Sequence, residues 1–185
     1  MKNGTATASG GTNSYGVYDE DSETTMRDVT ASASNGGYNA GVYIAASSLT
    51  MQNVTASASG GTYNYGVENF SSSPTMMNVT ATVSGGTHNY GMWNDNSSPT
   101  IQGSLISGDT GDGIHNAGGG AGPYTVTINN SRIVGADSTI WTDVKTYTTK
   151  VGASQFVGTG GKGSGAYLCI YSYTGTYTAL NATCQ

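Results

Sequence analysis

Charge is scarce in this chain. Only 9% of its 185 residues are Asp, Glu, Lys or Arg, the net charge is -5, and the six Lys and Arg are scattered rather than clustered, which argues against a nucleic-acid partner. No apolar run reaches the roughly 18 residues that a membrane helix needs, so no membrane insertion is expected. The opening Met1-Lys2-Asn3-Gly4 lacks the apolar core of a signal peptide. Histidine is limited to His88 and His115, which have no Cys or His partner at ligand spacing, so no zinc or copper site and no cofactor is expected.

What is present is repetition. Four segments match when the chain is slid by 25 residues: Gly16, Gly41, Gly66 and Gly91 share a column, as do Thr25, Thr50, Thr75 and Thr100. Val17, Val42, Val67 and Met92 form an apolar column, as do Met26, Met51, Met76 and Ile101. Units rich in Thr, Ser, Asn, Gly and Val, with few apolar residues at three-and-four spacing, exclude helices. Apolar and hydroxyl residues alternate along Val29–Ser34, Val54–Ser59 and Val79–Ser84, the pattern of a half-buried strand. Turns follow at Gly60-Gly61, Gly85-Gly86 and Ser98-Pro99. A coil of three short strands accommodates about 25 residues, and stacked coils share the core that one coil cannot bury alone. Further units at Ser104-Leu105-Ile106, Ser131-Arg132-Ile133 and Ser154-Gln155-Phe156 loosen the spacing to 27 and 23, with a glycine-rich loop at Ala117–Pro123. The expectation is an all-β, parallel β-helix of roughly seven coils.

Gly91-Met92-Trp93-Asn94, Ser97-Ser98-Pro99-Thr100-Ile101 and Gly113-Ile114-His115-Asn116 resemble the repeats of right-handed parallel β-helix proteins of the pectin-lyase-like superfamily, over most of residues 3–160. The resemblance implies a right-handed solenoid. It is specific for architecture and not for activity, because that superfamily spans polysaccharide lyases and hydrolases, tailspikes and adhesins.

Met1 shares the column of Met26, Met51 and Met76, so the repeat is already running at the first residue. Residues 1–166 are therefore expected to form a β-helix truncated from a longer protein, with an uncapped N-terminal end through which copies could associate into a homo-oligomer. Residues 167–185 leave the repeat. Tyr167–Tyr173 and Thr176–Leu180 flank Thr174-Gly175 and read as a β-hairpin cap, with Cys169 and Cys184 expected to pair. A structural disulfide in so polar a chain points to an extracellular or cell-surface location.

Two faces offer candidate sites. The strand carrying Ala6, Ala31, Ala56 and Ala81 inward presents hydroxyl ranks outward: Thr5, Thr30, Thr55 and Thr80, then Thr7, Ser32, Ser57 and Thr82. Flat Thr ranks resemble the ice-binding faces of β-solenoid antifreeze proteins; such ranks are also good strand formers that keep an exposed sheet soluble. A second face carries Tyr18, Tyr43 and Trp93, expected outward by alternation, together with Tyr63, His88 and Asn94. These six are the carbohydrate-binding candidates, since aromatic rings pack on sugar C–H faces while amides bond hydroxyls. Tyr15, Tyr65 and Tyr90 could instead stack inside as a ladder. Asp109 and Asp112 in Gly108–Gly113, and the acidic patch Asp19, Glu20, Asp21 and Glu23, read as turn formers and a solvated loop. No catalytic residue and no metal ligand is assigned. The expected role is a non-enzymatic structural or adhesive module whose partner is a polysaccharide or cell-surface glycan. The alternatives are a polysaccharide lyase or glycoside hydrolase and, third, an ice-binding protein.

Overall fold

A computed structural model describes residues 1–185. It is all-β, without a helix, and forms a parallel β-solenoid of about six turns, close to the seven expected. Eighteen strands join in one continuous sheet through parallel pairs. Each coil has three faces. A hydroxyl face stacks Lys2–Ser9, then the stretches in register at 29–34, 54–59 and 80–84, then Leu105–Ser107, Arg132–Val134 and Gln155–Val157. An aromatic face stacks Asn13–Glu20, Tyr38–Ala45, residues 63–70 and 88–95, Ile114–Ala117, Ile140–Thr142 and Gly161–Gly163. A third face runs from residues 25–27 through 50–52, Thr75–Met77, Thr100–Gln102 and Tyr124–Asn129 to Tyr147–Gly152 and Ala166–Ile170.

The corners explain the Asn, Asp and Gly content. Each coil turns at residues with positive φ: Asp28, Asn53, Asn78 and Asn130 at one corner, Asn35, Gly60 and Gly85 at the next, Ala46, Ser71 and Asn96 at the last. Left-handed backbone is open to Gly and tolerated by Asn and Asp, so a short corner selects these residues.

Inside, each face contributes inward columns. Val42, Val67, Met92, Ile114 and Ile140 face Met51, Met76, Ile101, Ile128 and Val151; the hydroxyl face supplies Ala31, Ala56, Ala81, Ile106, Ile133 and Phe156, with Val29, Val54 and Val79 beside them in the first coils. The glycine column lies where the section is thinnest. A Cβ on Gly41 would stand 2.5 Å from Ser57 N and 2.7 Å from Gly66 O, so only glycine lets the aromatic and hydroxyl strands approach.

Polar ladders close the corners. Asn39 Nδ2 donates to Asn64 Oδ1 (3.0 Å) and Asn64 Nδ2 to Asn89 Oδ1 (2.9 Å), all buried. A second ladder runs Asn69 to Asn94 to Asn116, 2.8 Å at each step. Asn94 is fully buried in it, which removes it from the surface candidates: an amide satisfied on the coil axis has nothing left for a ligand.

At the C-terminus, Ala166–Ile170 pairs parallel with Tyr147–Gly152 and Tyr173–Thr174 with Gln155–Val157, so a boundary at 166/167 cuts through a coil. The chain then returns through a tight turn, with an antiparallel bridge between Tyr173 and Ala179. The tail lies over the last coil: Gly161 N donates to Cys184 O (3.1 Å) and Cys169 N to Ala182 O (2.9 Å). Cys169 and Cys184 are disulfide-bonded there. The glycine-rich loop projects between Ile114–Ala117 and Tyr124–Asn129.

Candidate functional site

Alternation along the aromatic strands, interrupted at the glycine column, sends three ranks of side chains outward. The first holds Tyr38, Tyr63 and His88; the second Tyr15, Tyr65 and Tyr90; the third Tyr18, Tyr43, Glu68, Trp93, His115, Trp141 and Lys162. Stacking at the coil spacing follows: Tyr18 on Tyr43 (centroids 5.0 Å), Tyr63 on His88 (4.7 Å) and Trp93 on His115 (4.3 Å). Tyr15, Tyr65 and Tyr90 do not form an interior ladder. Tyr65, which is buried, stacks on Tyr90 (5.6 Å), but Ala40 separates Tyr15 from them in the rank, and the three also pack edge-on or tilted against Tyr18, Tyr43 and Trp93 on the outer side of the sheet, because the interior beside them is taken by glycine against backbone. Tyr18, Tyr63 and Trp141 are exposed; Tyr43, His88 and Trp93 are half-buried.

Two clusters with carboxylates sit among the rings, one around Glu68 and one around His115. Glu68 takes the place of a ring in the third rank and is only 8% exposed. The Tyr38 hydroxyl donates to its Oε1, while Oε2 is buried without a partner. Burial pushes the Glu68 carboxyl up to about 7; the Tyr38 hydrogen bond opposes that rise and the Asp95 charge adds to it. Burial first, and Glu68 second, raise the phenols of Tyr38 and Tyr65 well above the usual range and that of Tyr43 to about 12. The second feature is His115, whose Nδ1 lies 2.8 Å from Asp112 Oδ2 and whose Nε2 lies 3.1 Å from Asp143 Oδ2. Asp112 also accepts from Ser138 Oγ, and Asp143 from Trp141 Nε1 (2.6 Å). Asp112, expected only as a turn former, meets Asp143 through His115, a contact out of reach of a spacing argument because the repeat is broken between them.

Asp19, at the start of the same face, accepts from Ser47, Ser22 and Thr24. Burial alone would raise its carboxyl, and these three hydroxyls overcome that and hold it below the usual carboxylate range. Its acidity thus serves the corner rather than a solvated loop.

The ice-binding candidates lie in register on the hydroxyl face, with Ser32 Oγ donating to Thr7 Oγ1 (3.2 Å). Leu105, Arg132 and Gln155 interrupt the rank in the later coils. An open polar groove lies away from the aromatic face, along the corner lined by Asn78, Leu105, Arg132, Gln155 and Tyr173. Arg132 is bonded to Gln155 there (3.0 Å), and no acid faces it.

Fold and site together define a parallel β-solenoid with an acidic, aromatic outer face. Compared with protein-family models, curated proteins and solved structures, the chain matches none.

Proposed function

We propose that this protein is an extracellular structural or adhesive module that binds carbohydrate along its aromatic face. The observation that carries the reading is the set of in-register ring ranks, exposed at Tyr18, Tyr63 and Trp141 and interleaved with carboxylates such as Glu20 and Asp143. Sugar C–H faces pack on rings, and carboxylates and phenols bond the hydroxyls around them. The Cys169–Cys184 disulfide supports an oxidising compartment. Kinship with the pectin-lyase-like superfamily belongs to the same proposal, supported by parallel three-faced coils and buried Asn ladders.

The test is a glycan and polysaccharide array with the folded protein. Tyr18→Ala, Tyr63→Ala and Trp141→Ala each weaken the strongest hit by about tenfold, a change of about 1.4 kcal/mol, whereas Thr30→Ala on the hydroxyl face leaves it unchanged. Trp93→Ala is a poorer probe because Trp93 packs against Tyr65, Tyr90 and His115. No hit with folded protein overturns the reading.

The buried carboxyl of Glu68 favours a second reading, a lyase or hydrolase: with one oxygen unpartnered and burial raising the group to about 7, it has the setting of a general acid. Chain shortening of a bound polysaccharide, lost in Glu68→Gln, would select it.

A further inference from the structure

The third rank of the aromatic face has one gap. Tyr43 and Trp93 occupy the rank on either side of Glu68, one coil before and one after. Adjacent strands are about 4.8 Å apart, so the two flanking residues start about 9.6 Å apart. The carboxyl sits in the rank between Tyr43 and Trp93 and is closed off from the surface, with the Tyr38 hydroxyl bonded to it and Tyr65 on the adjoining rank. Tyr38 satisfies one oxygen. Oε2 has no partner, although Glu68 is more than nine-tenths buried; a buried acceptor left in that state is costly, and a donor brought to it gains correspondingly.

The charge around it has one sign. Glu20, Glu68, Asp95, Asp112 and Asp143 lie on the aromatic face or at its margins. Lys162 is the single lysine or arginine on its strands, and its Nζ donates to the Asp137 carbonyl (3.2 Å) at the far end of the stack; the two histidines there, His88 and His115, stack on Tyr63 and Trp93. Rings and carboxylates together attract an organic cation: the ring faces supply cation–π attraction and the carboxylate the counter-charge. An anionic polysaccharide would meet like charge on the same surface.

We propose that the gap at Glu68 is an ammonium-binding site, and that the glycan held by the aromatic face is one carrying free amino groups, an amino-sugar polymer. This rests on the carbohydrate reading above and narrows it. The ammonium N–H groups supply the donors that Oε2 lacks. No surface concavity includes Glu68 in the resting arrangement, so entry requires the Tyr38 side chain to rotate off the carboxyl. The groups facing the carboxyl are the phenols of Tyr15, Tyr38, Tyr43 and Tyr65 and the Asp95 carboxylate, none of them cationic. The ammonium pairs with ionised Glu68, so its binding releases the proton that burial retains there and tightens as pH rises.

Calorimetric titration of the folded protein tests this with three probes: methylammonium, which carries N–H donors and keeps its charge from about pH 5 to about pH 8, a glucosamine oligomer, and an N-acetylglucosamine oligomer of the same length. At about pH 7 the amino oligomer binds about tenfold tighter than the acetylated one, equivalent to about 1.4 kcal/mol. Methylammonium binds more tightly at about pH 8 than at about pH 5, on either side of the Glu68 ionisation. Glu68→Gln, which keeps the side-chain shape and an oxygen for Tyr38, abolishes both effects while its circular dichroism is unchanged. Tyr38→Phe leaves the carboxyl in place and unlatched, and binds methylammonium at least as well as the parent; a loss there overturns the site. Equal binding of the two oligomers, unaffected by Glu68→Gln, overturns the ammonium site and leaves the carbohydrate reading standing. Methylammonium bound through Glu68, with no glycan bound at all, supports the ammonium site and overturns the carbohydrate reading.

Discussion

Glu68 and Asp19 lie on one face and respond to pH in opposite senses. Glu68 keeps its proton up to about 7 in the folded protein, whereas an unfolded chain releases it in the ordinary carboxyl range. The folded state therefore binds the extra proton, and stability is full at acid pH and declines as pH rises towards 7, by on the order of 3 kcal/mol. Asp19 is held below its usual range, so its contribution is present above that range and is lost as pH falls. The melting temperature should accordingly peak at about pH 4, where the Asp19 contribution is present and that of Glu68 has not yet declined. Glu68→Gln removes the decline on the neutral side, raising the melting temperature at about pH 8 and changing it little at about pH 4. Calorimetry across pH checks this, and a variant less stable than the parent at the higher pH would contradict it.

Among the elements, the glycine column is the tightest constraint. The aromatic strand crosses the hydroxyl strand so closely that the Gly41 Cβ position lies 2.9 Å from Ala56 C as well as against Ser57 N. The opposing inward side chains are small in the first coils, Ala31, Ala56 and Ala81; in the later coils Ile106 and Ile133 take the column, and a Cβ on Gly91 or Gly113 would stand 2.8 or 2.7 Å from their Cγ2 atoms. Gly41→Ala should destabilise by about 3 kcal/mol, at the upper end of ordinary overpacking, because backbone and not a flexible side chain must move. Chemical denaturation measures it; a loss within a few tenths of a kcal/mol of zero would show that the coil can widen. Glycine at the exposed loop position Gly119 faces open space, so Gly119→Ala serves as the control.

For the whole molecule, the decisive feature is how the sheet ends. The tail covers the last coil through Cys184 O and Ala182 O, which accept from Gly161 and Cys169 N–H groups otherwise left as a bare edge. The disulfide fixes this tail across 15 residues of sequence, a loop whose closure contributes about 3 kcal/mol. Reduction should lower the melting temperature and promote association through the uncovered edge. Light scattering with and without reductant reads both; an unchanged melt and no larger species would mean that the backbone hydrogen bonds hold the tail alone.

The coil register was legible because 25-residue spacing repeats the same inward and outward pattern four times, as Val17, Val42, Val67 and Met92 illustrate. The hydroxyl ranks and the outward Tyr18, Tyr43 and Trp93 follow from alternation within that register. Alternation also places Asn94 inward, yet an amide suits both a sugar and a buried ladder, and composition does not choose between them. The sequence by itself thus determined a stack of parallel coils, its corners and its outward ranks, since these depend on local periodicity and backbone preference. Tertiary structure alone decided which polar groups are buried and which meet. Glu68 acquires an unpaired oxygen from rings on neighbouring coils, and His115 reaches Asp143 across 28 residues of irregular spacing. Burial and charge contact are set by distances between coils, which no single repeat encodes.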